Sequence, residues 1–162
     1  EREKQVFLAN PDMQPKLAGY DYLIQRQLRP EARMDIIHEL RNKGIVPSSM
    51  IDISDGLASE IFHLSQNSRV GFRIFEEQLP VDQGTMDAAY EFKLDPTTCA
   101  LNGGEDYELL FTIKQKDYEK LKMHPDIHFI GHAQPLEMGN QMVTKGENVI
   151  SLKAQGWQHL SD

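Results

Sequence analysis

Met50-Ile51-Asp52-Ile53-Ser54-Asp55-Gly56-Leu57 is the stretch whose reading sets the architecture. It opens as a short apolar strand over 50–53, in which Asp52 is out of place because aspartate disfavours strands. Alternation along a strand puts Asp52 and Ser54 on one face and Ile51 and Ile53 on the other. Ser54-Asp55-Gly56 then opens a helix reaching about residue 65, with Leu57, Ile61, Phe62 and Leu64 as its apolar side. The start of a helix offers unpaired N–H groups and the positive end of its dipole, and so favours an anion such as phosphate. Gly56 keeps the backbone bare for close approach. Two carboxylates and a hydroxyl there suit Mg²⁺ held between protein and phosphate oxygens, since magnesium takes one or two carboxylates and completes its shell with water and phosphate. The same residue types also serve as N-caps. Capping would account for Ser54 or Asp55 but not for Asp52, which lies too early and otherwise reads as a solvated edge-strand acid.

Further along stands Asn102-Gly103-Gly104-Glu105-Asp106-Tyr107-Glu108-Leu109-Leu110-Phe111. A strand over 109–113 carries the acids on its leading end. Alternation places Glu105 and Tyr107 with Leu109 and Phe111, and Asp106 with Glu108. The glycines permit a tight turn or close ligand contact. A carboxylate here suits a cationic ring, or hydrogen bonds donated by one; a glycine turn before an edge strand with solvated acids is the other reading.

Around these segments, helices are expected over 20–28 and 32–43, the second closed by Gly44. Beyond them come a strand over 70–75, a connector at 79–81, a helix over 86–92 and a helical turn from Asp95 with Pro96 near its first position. A helix over 116–123, a strand over 129–133, and a hairpin of 141–144 with 149–152 around Lys145-Gly146-Glu147-Asn148 complete the pattern. Interleaved strands and helices imply an α+β (α/β layered) domain, a mixed sheet covered by helices.

The 162 residues suit one domain, with 1–45 a leading helical segment and 46–162 the body. Net charge is −8 with pI near 5.2, which argues against nucleic acid or an anionic membrane as the main partner. The lone Cys99 forms no intrachain disulfide and reads as a small buried hydrophobe; with no signal peptide apparent, a reducing cytoplasm is the expected compartment. His124, His128 and His132 are spaced by four, but Pro125 and Gly131 break any helix, and two strand histidines without a carboxylate make a weak metal site. The start at Glu1-Arg2-Glu3-Lys4 suggests a chain continued upstream.

The two segments, in this order and at this separation, resemble the C-terminal signatures of the thiamine-monophosphate kinases. Gly156-Trp157-Gln158-His159-Leu160 is similar to that family's closing Gly-aromatic-x-His. The resemblance spans roughly 50–160, and Ser-Asp-Gly separates it from sister enzymes such as aminoimidazole ribonucleotide synthetase and selenophosphate synthetase, which share the architecture. It implies ATP-dependent phosphorylation of thiamine monophosphate to thiamine diphosphate. By position it makes Asp52 and Asp55 Mg²⁺ ligands, Ser54 an ATP contact, Glu105 a substrate contact on the aminopyrimidine side, and Trp157 an aromatic platform for the substrate ring. It also implies an N-terminal domain, absent from this chain, that supplies most nucleotide contacts and the interface of a homodimer. No Walker A loop, protein-kinase glycine loop or evident general base is present, so no residue is assigned a catalytic role and the chain alone is expected to be inactive. A nucleotide-binding regulatory module, or a sister enzyme acting on another small phosphate compound, remains the alternative.

Overall fold

The computed structural model describes residues 19–153. Helices α1 (Asp21–Leu28) and α2 (Met34–Asn42) lead into strand β1 (Ser49–Asp52). Then come α3 (Leu57–Ser68), β2 (Gly71–Phe75), a 3-10 turn (Glu76–Gln78), α4 (Gln83–Glu91) and α5 (Pro96–Asn102). Strand β3 (Leu109–Thr112) follows, then a 3-10 turn (Gln115–Asp117) running into the single-turn α6 (Tyr118–Leu121). Strands β4 (Gly131–Gln134), β5 (Asn140–Val143) and β6 (Val149–Ser151) complete the described order, with a 3-10 turn (Leu136–Met138) between β4 and β5.

Local chemistry explains the helix starts in the middle of the chain. Asp95 accepts from the Thr98 N–H at 2.8 Å and Pro96 fills the first helical position, where its missing N–H costs nothing. Asp82 caps α4 in the same way, accepting from the Gly84 N–H at 2.7 Å.

The expected mixed sheet is divided into two ladders. One is an antiparallel ribbon of β1 and β3, with Met50 opposite Phe111 and Asp52 opposite Leu109. The other has the order β4-β2-β5-β6, with β2 parallel to β5 and its other pairs antiparallel. The β5–β6 hairpin forms around residues 145–148, as its turn residues imply.

The ribbon is covered on both faces. Ile51, Ile53 and Leu110 pack on a core of α3, β2 and β5 built from Leu57, Ile61, Leu64, Phe72, Ile74 and Met142. On the opposite face Met50, Leu109 and Phe111 pack on Ile36 and Leu40 of α2, Ile45, Leu121 and Ile127. Strand alternation thus sends Ile51 and Ile53 to one core and places Asp52 at the open end of the other face.

Four local readings are corrected. Residues 105–108 are not strand: Glu105 and Tyr107 adopt left-handed φ of 62° and 56°, so alternation begins only at Leu109. The helix expected over 116–123 contracts to a 3-10 turn and one α-turn, and pairing of the strand expected over 129–133 is confined to 131–134. Neither Ser54 nor Asp55 caps α3; the N-cap is Gly56, without a side-chain cap bond.

Candidate functional site

The two acidic segments meet through their backbones. The Ile53 N–H donates to the Glu108 carbonyl at 2.8 Å, and the Tyr107 N–H returns the bond to the Ile53 carbonyl at 2.8 Å. The Glu105 N–H donates to the Ser54 carbonyl at 2.6 Å. The ladder of the ribbon therefore continues past both strand ends into the loops, and these bonds hold Glu105 and Tyr107 in conformations that L-residues otherwise visit rarely. A methyl group on Gly104 would stand 2.8 Å from the Ser54 carbonyl oxygen, so the close approach of the loops requires glycine there.

Asp52 and Asp55 are both exposed. Neither side chain has a hydrogen bond or ion pair among the described residues. The acids of the second loop differ. Glu108 receives Arg26 at 2.6 Å and Arg33 at 2.5 Å, and Asp106 receives Arg26 at 3.2 Å. Glu105 accepts from the Gln27 amide at 2.6 Å. Burial works against the charge on Arg26, but Glu108 and Asp106 outweigh it and push its pKa up. Arg33 is likewise raised, first by its hydrogen bond to Asp35 and then, against burial, by Glu108; the same bond lowers Asp35 to about 2. Arginines thus pair with Asp106 and Glu108 of the second loop, while Glu105, Asp52 and Asp55 have no cation partner among the described residues.

A cleft of about 1190 Å³ passes the second loop, where Arg26, Gln27, Gly104, Glu105 and Glu108 line it, and continues inward past Leu64 to His132. Asp52, Ser54 and Asp55 are not among its lining residues, though their neighbours Ile53 and Leu57 are. Trp157 lies outside the described residues.

Oxygen donors alone, two of them carboxylates without a protein cation, fit the partial set that Mg²⁺ accepts when water and phosphate complete its shell. No group of three or more His, Cys, Asp or Glu suited to hold a metal unaided stands among the described residues.

Four contributors are not evident in the sequence. Glu60 is 2% exposed, and its Oε1 accepts from the Ser54 N–H (3.4 Å), the Ser54 hydroxyl (3.1 Å) and the Asp55 N–H (3.2 Å). Its one signal is indirect: with Leu57, Ile61 and Leu64 it shares the inward face of α3, where an acid needs partners. Arg26, Gln27 and Arg33 are hidden as well, because helices leading into the body give no local sign that their polar face meets residues about eighty positions on.

No family model matches the chain. It is 35% identical over 138 residues to the thiamine-monophosphate kinase of Pyrococcus abyssi, covering 85% of this chain and 41% of that protein. To the enzyme of the same name from Buchnera aphidicola subsp. Schizaphis graminum it is 34% identical, over 97% of this chain and 46% of that one. The chain therefore spans less than half the length of these relatives. A solved structure of AaThiL complexed with AMPPCP and TMP superposes with TM-score 0.72 at 30% identity, over 97% of this chain and 46% of that one. Escherichia coli HypE, a hydrogenase maturation protein, superposes with TM-score 0.65 at 19% identity, a likeness of fold alone.

Proposed function

We propose that this chain, which is homologous to the thiamine-monophosphate kinases, is the C-terminal, substrate-and-metal half of such an enzyme. The reaction moves the γ-phosphoryl group of ATP to the phosphate of thiamine monophosphate, giving thiamine diphosphate and ADP. Asp52 and Asp55 would hold Mg²⁺, which would supply charge neutralisation to the phosphates. Ser54 contacts ATP, and Glu105 binds the aminopyrimidine side of the substrate. Trp157 offers a face to the cationic thiazolium ring, a contact of about 0.5–2 kcal/mol. An N-terminal domain beyond this chain supplies the remaining nucleotide contacts and the homodimer interface, and the whole enzyme works in the cytoplasm. Because phosphoryl transfer depends on positioning and charge neutralisation from all sides, these 162 residues alone are inactive.

One observation carries the reading: two loops fifty residues apart in sequence are bonded backbone to backbone, and Asp52 and Asp55 of the first have no cation partner among the described residues, whereas Asp106 and Glu108 of the second do. The test is a chimera in which this chain replaces the matching portion of the Pyrococcus abyssi enzyme. Asp52→Asn and Asp55→Asn are each expected to raise the Mg²⁺ concentration for half-maximal turnover by about ten-fold or more. Glu105→Ala is expected to raise KM for thiamine monophosphate and leave that for ATP in place. Unchanged metal dependence in both aspartate variants would remove the metal assignment.

A further inference from the structure

Glu60 is the most deeply buried acid among the described residues, and no described cation pairs with it. A buried carboxylate is costly unless donors satisfy it. All three donors that satisfy it come from the Ser54–Asp55 loop. The loop gains as much as the acid does: ahead of a helix whose N-cap has no side-chain bond, two backbone N–H groups find their acceptor in Glu60. Gly56 lets the chain turn there with φ of 101°, and the loop is pressed so closely on the end of α5 that a methyl group at Gly56 would stand 2.9 Å from the Leu101 carbonyl oxygen. Loop and acid therefore form one unit, clamped between α3 and α5.

We propose that Glu60 is the positioning residue of the metal-and-nucleotide loop, fixing the backbone at Ser54 and Asp55 and setting the direction of the Ser54 hydroxyl. The hydroxyl proton is committed to Glu60 Oε1, so the Ser54 oxygen meets a ligand with its lone pairs. It therefore suits a metal ion, a metal-bound water or an amino group, and does not serve as a donor to a phosphate oxygen. This deepens the function proposed above and rests on it, since the consequence of losing Glu60 is read at the metal.

The test uses the chimera described above with Mn²⁺ and ATP as the probe, the ion titrated by electron paramagnetic resonance, and amide exchange at Ser54 and Asp55 followed by NMR in the metal-free protein. Glu60→Ala is expected to speed exchange at those two amides while the Ile61 and Leu64 amides stay protected, and to weaken Mn²⁺ binding by about ten-fold. Glu60→Gln keeps an acceptor oxygen and is expected to restore the amide protection and most of the affinity, a rescue that loss of general stability would not produce. Asp55→Asn is the control: it should weaken Mn²⁺ and leave the amides protected. If Asp55→Asn weakens the ion and Glu60→Ala does not, the role given to Glu60 is overturned and the metal reading stands. If neither variant changes Mn²⁺ binding, the metal reading falls and takes this inference with it. Equal acceleration of loop and helix amides in Glu60→Ala, without rescue by Glu60→Gln, would make Glu60 a packing residue only.

Discussion

Gly56 shows how much of the site depends on a single missing side chain. Its φ of 101° with ψ of 149° belongs to a region that only glycine enters freely, and its backbone is packed on Leu101 and Asn102. Gly56→Ala therefore meets backbone strain and backbone contact at once, with no flexible side chain to yield. The strain alone is about 1–3 kcal/mol. Chemical denaturation should show Gly56→Ala destabilised by at least that amount; a variant as stable as the parent would show that the loop relaxes away from α5 at little cost. The glycine was legible in the sequence as a place of close approach, but what approaches it was not. The sequence suggests a ligand; the structure adds the end of α5, brought there by forty-five residues of intervening chain. Glu105 and Tyr107 make the same point from the other side. Nothing in either residue type asks for a left-handed backbone, and carbonyls of the first loop impose it.

Among the elements, the 3-10 turn after β2 ties α5 to the β5–β6 turn. Glu76 accepts from the Thr97 hydroxyl of α5 at 2.7 Å and from the Lys145 N–H of the β5–β6 turn at 2.9 Å. The Thr97 bond, then the Lys145 N–H, hold its carboxyl below the ordinary glutamate range. A depressed carboxylate pKa stabilises the fold above the ordinary value, and that contribution is lost as pH falls through the folded value. The stability advantage of the parent over Glu76→Gln should thus be largest near neutral pH and shrink from roughly pH 5 downward. Urea unfolding across that range checks it, and a gap independent of pH would show that Glu76 acts by shape alone. Elements with their own caps and periodicity were readable, as at Asp95-Pro96 and along α2. The division of the sheet was not, because the choice of partner strand is made by packing between distant segments rather than by pattern within one. The sequence reads as one helix over 116–123, yet Leu121 is the one apolar residue deeply buried there, too little apolar surface to sustain two turns.

For the whole molecule the deciding feature is the ribbon shared by two cores. Ile51 and Leu110 belong to one cluster, Met50 and Phe111 to the other, so neither core is complete without the same pair of strands. The loops of the candidate site extend from the end of that ribbon, and their spacing is set by its register. Damage to either core should therefore reach the site through β1 and β3. Ile61 is 2% exposed in the first cluster and Leu121 fully buried in the second. Truncating either to alanine removes buried methyl groups and leaves a void, at a cost of about 2–5 kcal/mol. If the ribbon couples the cores, Ile61→Ala and Leu121→Ala each lower one common unfolding transition, and each speeds exchange of the Ile53 amide, whose acceptor is the Glu108 carbonyl. Two separated transitions, with Leu121→Ala shifting only one and leaving the Ile53 amide protected, would mean that the cores fold apart. The geometry of Asp52, Ser54 and Asp55 would then depend on α3 and its core alone.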